Sequence, residues 1–295
     1  MIKIGSESAK ITINVNICNK CGLVAYCNAT CKKKHRSKHK KKCERRVAEM
    51  HDEALFGEPP PQHGDCPICF LRLPFMASGR RYMDCCGKII CTGCCYADVY
   101  DNLGNVIADE KCPFCRTPLP TSGEEILKML KKRMEVGDSY AFFMMGNAYL
   151  RGRYGSPLDS AKAVKMWRKA GKFGYANIGF AYDNGNGVER DEKMASHYDE
   201  LAAMGGIIEA RHNLGVLELE GHAGNMSRAL RHFMITAGCG DNNSLENIKQ
   251  LFMNGHATKD DYAKALQVYQ ANLVEIKSPQ RDEAATFNEE RYKYY

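Results

Sequence analysis

The chain has 295 residues, of which 44% are hydrophobic and 26% are charged, a balance that is ordinary for globular domains. This composition excludes a collagen and a wholly disordered chain, and the sequence contains no run of about 18 apolar residues that would span a membrane. The opening residues lack the apolar core of a secretory signal, so we expect an intracellular protein with reduced thiols.

Cysteine and charge are both distributed unevenly along the chain. Fourteen of the 15 cysteines lie between Cys18 and Cys115. Residues 1–57 contain 13 Lys and Arg against 5 Asp and Glu, whereas the whole chain has a net charge of +7. The sequence therefore divides into a basic Cys-rich head, a near-neutral Cys-rich middle and a Cys-poor C-terminal half.

In the head, residues 1–17 are predicted to be strand-like or flexible, and residues 18–43 have the spacing of metal ligands. They read Cys18-x-x-Cys21, Cys27-x-x-x-Cys31 and His39-x-x-x-Cys43. Side chains four residues apart share one face of a helix, so His39 and Cys43 can bind the same ion. The alternative is a Cys-rich basic peptide without a fold.

This run resembles the C-terminal two-thirds of a MYND zinc finger, a family whose fingers interleave two zinc sites. The resemblance implies one complete site, made by Cys18, Cys21, His39 and Cys43. Cys27 and Cys31 would belong to a second site that is two ligands short, with His35 as a candidate third ligand. Either the finger binds one zinc, or its first ligand pair precedes residue 1. The resemblance also implies binding of proline-rich peptides.

A strongly basic run follows the Cys27–Cys31 pair. Residues 32–46 contain ten Lys and Arg and one acidic residue. The favoured interpretation is the solvent-exposed face of the finger's last helix; a nuclear import signal and a nucleic-acid contact are the alternatives. The absence of aromatic residues among the lysines argues against stacking on single-stranded nucleic acid. We therefore expect a cytoplasmic or nuclear protein.

Residues 44–65 are predicted to contain the end of this helix and a Pro-rich linker, Glu58–Gly64, of polyproline type. Residues 66–116 then hold three C-x-x-C pairs and one adjacent pair: Cys66/Cys69, Cys85/Cys86, Cys91/Cys94 and Cys112/Cys115. A two-residue gap lets a tight turn supply two corners of a tetrahedral zinc site, so we expect two ions here. The alternatives are a single zinc with Cys85, Cys86 and Cys95 as bystanders, or disulfides.

The order and spacing of these pairs resemble a RING finger, in which ligand pairs alternate. The resemblance implies one zinc on Cys66, Cys69, Cys91 and Cys94 and another on Cys85, Cys86, Cys112 and Cys115. Lys88 occupies the position of the family's usual His and cannot bind zinc, so an all-cysteine variant is implied. Cys95 is an alternative to either residue of the adjacent pair. With one zinc in the head, about three ions are expected.

The RING resemblance also implies ubiquitin ligase activity by recruitment of a ubiquitin-conjugating enzyme, without a catalytic nucleophile. Ile68, Pro113 and Arg116 match the family's docking positions for that enzyme and ubiquitin. Asp98 stands about where the family often has an aromatic residue on its helix, which weakens the match. The runner-up is a non-enzymatic scaffold that binds proteins through zinc modules.

The C-terminal half is internally repetitive. Glycines 152, 185, 221 and 255 follow similar segments and are 33, 36 and 34 residues apart. Each is followed by a second pattern that contains an aromatic residue: Trp167, Tyr198, Phe233 and Tyr269. This period predicts about four helix-turn-helix units whose Gly and Ala residues let the partner helix's aromatic pack closely.

Residues 138–274 resemble SEL-like repeats, relatives of the tetratricopeptide repeat, which implies a curved surface that binds a protein substrate or adaptor. Residues 117–137 are predicted to form a connecting helix that begins with a capping box at Ser122–Glu125. Residues 275–295 are predicted to be a tail with a short helix or no order. The histidines of this half share no spacing, and we expect His212 and His222 to lie at the surface or in turns.

The expected fold is therefore mostly α-helical: an α-solenoid preceded by two small zinc-stabilised α+β modules. No membrane partner is expected.

Overall fold

The computed structural model of the protein describes residues 16–21, 25–26, 29–101, 104–107, 109–220, 225–288 and 292–294. Two compact units are present, Met1–Gly57 and Glu58–Tyr295. Within the described residues, no helix combines the length and the apolar character that a bilayer crossing requires.

In the N-terminal unit, a short antiparallel pair precedes one long helix. The pair is β1 (Asn16–Ile17) with β2 (Ala25–Tyr26), and the helix is α1 (Ala29–Leu55). The helix buries His39 and Cys43 on one face, whereas the lysines at positions 40–42 are exposed. The described lysines of the basic run therefore lie on a solvent-exposed helix face, as the favoured interpretation predicts.

The second unit begins with a small segment of two strands and a short helix. Strands β3 (Arg80–Met83) and β4 (Lys88–Cys91) form an antiparallel hairpin in which Arg80 pairs with Cys91, and helix α2 (Thr92–Ala97) follows directly. Its core holds Leu73, Met83 and Ile90 together with buried cysteines 66, 91 and 112. Residues 65–119 are termed the central cysteine module below.

Residues 123–287 of this unit are mostly helical, and consecutive helices pack against one another. They are α3 (Gly123–Glu135), α4 (Ser139–Arg151), α5 (Ser160–Ala170), α6 (Tyr175–Asn184), α7 (Glu192–Met204), α8 (Ile208–Glu220), α9 (Met226–Gly238), α10 (Asn242–Met253), α11 (Lys259–Ile276) and α12 (Pro279–Phe287). The pairs α4/α5, α6/α7, α8/α9 and α10/α11 are the four predicted helix-turn-helix units. The prediction of a mostly helical solenoid is confirmed.

Close packing within the units depends on glycine, as the sequence predicts. A Cβ at Gly146 of α4 would lie 2.4 Å from Nε1 of Trp167, and one at Gly215 of α8 would lie 2.6 Å from the Phe233 ring. Both aromatic side chains are almost completely buried. The indole N–H of Trp167 donates to Oδ1 of Asn147 at 3.2 Å, so its polar atom is also satisfied.

The two segments that flank the repeats are more integrated than the sequence predicts. Helix α3 is not a bare connector, because Leu130 is buried against Ala141 and Met145 of α4. Ser122 caps the helix by accepting from the Glu125 N–H, but the Glu125 carboxylate accepts from Thr121 and not from Ser122. The C-terminal tail forms α12, which packs on α2 of the central cysteine module.

One histidine prediction is wrong. His212 does not lie in a turn or on the surface: its Nδ1 is 2.8 Å from Oγ of Ser244 and 3.0 Å from Oδ2 of Asp241. These groups link α8 to the start of α10, where Asp241 also caps the helix. The other residue of that prediction, His222, lies outside the described residues.

The Pro-rich segment packs on the helical repeats and is not a free spacer. Lys172 Nζ donates to the Pro61 carbonyl at 3.4 Å, and the His63 ring stacks on Phe173 with centroids 5.7 Å apart. Tyr140 packs edge to face against both rings, with centroids 5.8 Å from His63 and 5.2 Å from Phe173. Burial, with the positive charges of Arg80 and Lys172, lowers the pKa of His63 to about 3.

His63 should make the second unit less stable in mild acid. Its pKa is near 6.5 when unfolded and about 3 when folded, so the unfolded state gains the proton first and stability falls as pH drops below 6.5. Between pH 7.5 and 5.5 we expect a loss of about 1.4 kcal/mol relative to His63→Phe, which cannot be protonated. The measurement is urea unfolding, monitored by the fluorescence of the single tryptophan, Trp167. Equal pH dependence of both proteins would contradict a buried neutral imidazole.

Candidate metal centres

In the head, four ligand-type side chains converge on one point. The ligand atoms of Cys18, Cys21, His39 and Cys43 all lie within 4.8 Å of one another, and all four residues are buried. The Cys18 and Cys43 sulfurs are 3.8 Å apart, and Nε2 of His39 is 3.2 Å from the Cys21 sulfur. A tetrahedral ion with Zn–S bonds of about 2.3 Å spaces its sulfurs about 3.8 Å apart, so the donors fit zinc.

Local structure explains why these residues meet. The turn that contains Cys18 and Cys21 faces the side of α1 that carries His39 and Cys43, which are one helical turn apart. Backbone N–H groups of Cys21 and Lys20 lower the pKa of the Cys18 thiol to about 6, which favours the thiolate that binds metal.

The second site predicted for the head involves Cys27, Cys31 and His35. Cys27 and the side chain of Cys31 lie outside the described residues. His35, the candidate third ligand, stacks on His39 with ring centroids 5.8 Å apart.

In the central cysteine module, the four cysteine pairs are interleaved. The sulfurs of Cys66, Cys69, Cys91 and Cys94 form one group, and those of Cys85, Cys86, Cys112 and Cys115 form another. Sulfur separations include 3.8 Å for Cys69–Cys91, 3.8 Å for Cys86–Cys112 and 3.3 Å for Cys85–Cys115. These spacings exceed the roughly 2.05 Å of a disulfide and are close to the edge of a zinc tetrahedron. The chain thus carries donor sets compatible with zinc.

The first and last pairs occupy turns of the same geometry. Phe70 and Arg116, which follow the second cysteine of each turn, have φ of 60° and 61°. Their N–H groups donate to the Cys66 and Cys112 carbonyls at 2.9 and 2.8 Å. The closed turn aims both cysteine sulfurs to one side, which is the physical basis of the two-residue spacing.

The middle pairs are positioned by the hairpin. Cys85 and Cys86 lie in its turn, which Gly87 closes at a φ of 72°. Cys91 ends β4, and its sulfur accepts from the Cys94 N–H at 3.4 Å while capping α2. Cys95 lies outside both groups, and burial raises its thiol pKa to about 12, so it packs as a neutral side chain.

A residue of the last helix completes the environment of the first group. Arg281 is fully buried, and its guanidinium donates to the carbonyls of Arg72 and Ile276 at 2.9 and 2.5 Å. Its Nη2 also lies 3.8 Å from the Cys69 sulfur. A zinc ion with four thiolates carries net negative charge, and a buried cation beside one thiolate offsets it.

Helix α12 can approach this closely because Gly93 of α2 has no side chain. A Cβ there would lie 2.7 Å from the Arg281 backbone nitrogen. Further along the tail, the Ser78 hydroxyl donates to the Lys293 carbonyl at 2.6 Å, and Tyr96 packs with Ala284 and Tyr292. The central cysteine module is therefore completed by a segment that is remote in sequence.

The three predicted docking residues lie on the two turns of like geometry. Ile68 is 36% exposed, and Phe70, two residues later, is 79% exposed. Pro113 is half-buried, and the Arg116 side chain is 68% exposed while its Nη1 donates to Oδ1 of Asp98 at 2.6 Å. Asp98, expected from the sequence at a docking position, pairs here with Arg116. Phe70 on this surface and Arg281 beside the first cysteine group were not predicted from the sequence.

Comparison with known proteins supports the zinc finger of the head. The family model described as MYND finger matches residues 11–43. No curated protein matches the chain.

Two solved structures are similar to the helical part. A Sel1 repeat protein from Oxalobacter formigenes is 21% identical, with a TM-score of 0.43 over 56% of this chain and 70% of that one. The protective antigen c5321 of uropathogenic Escherichia coli, which has an SLR fold, is 24% identical, with a TM-score of 0.45 over 58% of this chain and 38% of that one. The repeat architecture itself rests on the four helix pairs described above.

Replacing Arg281 should loosen zinc in the first group of the central cysteine module. Arg281→Met removes the charge beside Cys69, and changes of this kind typically lower metal affinity by about tenfold or more. Arg281→Lys should lose less, since it keeps the charge. The measurement is the rate of zinc transfer to a chromogenic chelator. Arg190→Met, at an exposed arginine of the repeats, is the matched control. Equal zinc transfer from all variants would show that Arg281 does not support the metal site.

Proposed function

We propose that residues 66–116 form an all-cysteine RING domain and that the protein is a ubiquitin ligase. The RING would recruit a charged ubiquitin-conjugating enzyme, and the helical repeats would bind the substrate or an adaptor. No nucleophile of this chain would take part, because the domain acts by holding the thioester in a reactive arrangement.

The observation that carries the proposal is the interleaved grouping of the four cysteine pairs. Interleaving ties the two like turns to one core, and a RING uses those turns to dock its partner. Apolar side chains on both turns support this: Phe70 is 79% exposed and Phe114 is 46% exposed. Large apolar side chains exposed on these turns offer contact area to a protein partner.

Arg116 would bridge ubiquitin and its carrier through its fork of donors. In the resting protein its guanidinium pairs with Asp98. Because the Arg116 side chain is 68% exposed, this pair contributes about 1 kcal/mol or less, and a partner's carboxylate or carbonyl can replace it.

The helical repeats and the MYND-like head would supply further protein contacts. A zinc finger joined to a helical repeat scaffold suits protein–protein interaction, whatever the activity of the RING. A proline-rich peptide is the ligand proposed for the head, as its resemblance implies.

A non-enzymatic scaffold is the second candidate function, and one observation favours it. Asp98 stands where a docking aromatic is expected, and it engages Arg116 at 2.6 Å. If that pair persists when a conjugating enzyme is present, the protein would bind partners without promoting transfer.

The proposal is tested by autoubiquitination of the purified, zinc-loaded protein with a panel of conjugating enzymes. We expect Ile68→Ala and Arg116→Ala each to reduce the rate by about tenfold or more, since each removes a contact made only in the active complex. Arg190→Ala, which removes an exposed arginine of the repeats, should leave the rate unchanged.

The scaffold would be the correct interpretation if no enzyme of the panel supports transfer. Activity that is indifferent to both Ile68→Ala and Arg116→Ala would also overturn the proposed docking surface. Retained zinc in each variant, determined by elemental analysis, separates a lost contact from a lost fold.

A further inference from the structure

A groove of about 560 Å³ opens between three consecutive helices of the repeats, α6, α7 and α8. It lies far along the sequence from the three cysteine-containing donor groups, and the proposed docking of a conjugating enzyme does not use it. Its lining contains both acidic and apolar side chains, and these indicate which chemical groups a partner would present.

The acidic character comes from carboxylates on all three helices. Asp183 lies on α6, Glu192 and Asp199 on α7, and Glu209 on α8. None of the lining residues that the structure describes is a lysine or an arginine. Glu192 forms an ion pair with Arg190, and Glu209 interacts electrostatically with the buried Arg80. Among the ion pairs of the described residues, none involves Asp183 or Asp199.

Asp199 is held in the groove at an electrostatic cost. It is largely buried, and burial together with the neighbouring Asp183 carboxylate raises its pKa to about 6. The fit is tight, because a Cβ at Gly179 of α6 would lie 2.3 Å from Oδ1 of Asp199. A cation between the two carboxylates would relieve their repulsion and the cost of burial.

The apolar part of the lining includes two large side chains that are exposed to solvent. Phe180 is 54% exposed and Leu217 is 53% exposed. They lie on α6 and α8, and the lining of the same groove includes the small residues Ala176, Ala195 and Ala210. Small residues leave room for a polypeptide segment, and the two large side chains offer it apolar contact area.

We infer that this groove binds a peptide segment that presents lysine or arginine beside an apolar side chain. The cation would lie between Asp183 and Asp199, and the apolar residue would contact Phe180 and Leu217. The inference rests on the part of the proposed function in which the repeats bind a protein partner, and it adds the chemistry of that partner.

The test is fluorescence anisotropy with the full, zinc-loaded chain and a short fluorescein-labelled peptide of Lys, Leu, Gly and Ser. A matched peptide has Glu in place of every Lys. We expect binding of the basic peptide only, and Asp183→Asn combined with Asp199→Asn should weaken it by about tenfold. Glu135→Gln combined with Glu189→Gln, which removes the same charge from exposed positions outside the groove, should change the affinity by less than about twofold.

A second variant guards against failure to fold. Leu217→Lys changes a residue that is half-exposed, so it should fold, and the new cation should repel the basic peptide about as strongly as the loss of the two carboxylates does. Equal affinity for both peptides, or equal losses in the groove and control variants, would overturn the inference. So would binding of spermine that matches the peptide's, because it would show a site for charge alone.

This assay contains neither conjugating enzyme nor ubiquitin. An inactive RING would leave peptide binding intact, and a groove that binds no peptide would leave autoubiquitination intact. The two proposals therefore fail separately.

Discussion

The fold of the central cysteine module depends on the grouping of its thiolates at the corners of two tetrahedra. The central cysteine module has only a small apolar core, centred on Leu73, Met83 and Ile90. Such a core stabilises little by itself, whereas a structural zinc can contribute about 10–16 kcal/mol to folding. Because the cysteine pairs alternate between two groups, an ion held by each group would join turns that are remote in sequence. Metal binding would then also fix the shape of the two exposed turns.

The module is also built into the helical repeats at both of their ends. Near the start, the Tyr82 hydroxyl donates to Oδ2 of Asp138 at 2.9 Å, and Arg133 pairs with the same carboxylate. At the other end, α12 brings Arg281 to the Cys69 sulfur. Within this unit a partner held on the repeats would therefore have a fixed distance to one held on the cysteine turns. Fixed geometry raises the effective concentration of one partner at the other, which is what the proposed ligase requires.

Local patterns in the sequence were sufficient for the helices, the four repeats and the turns that hold two cysteines each, whereas the grouping of the cysteine pairs was implied by the resemblance to a RING finger. The period of the glycines and aromatics reflects packing within one helix pair, such as Trp167 against Gly146. The two-residue spacing of cysteines reflects the geometry of a single turn. Contacts between remote segments left no such pattern. Arg281 lies 212 residues from Cys69, and its sequence context is that of a surface residue. His212 was predicted to lie at the surface or in a turn because its partners, Asp241 and Ser244, are remote in sequence. The packed Pro-rich segment was missed for the same reason.

Zinc X-ray absorption combined with elemental analysis tests the central claim most directly. The three donor groups contain eleven thiolates and one imidazole. We therefore expect about three zinc ions per chain in a four-coordinate shell made almost wholly of sulfur at about 2.3 Å. A shell rich in oxygen or nitrogen, or fewer than two ions in a folded chain, would contradict the account.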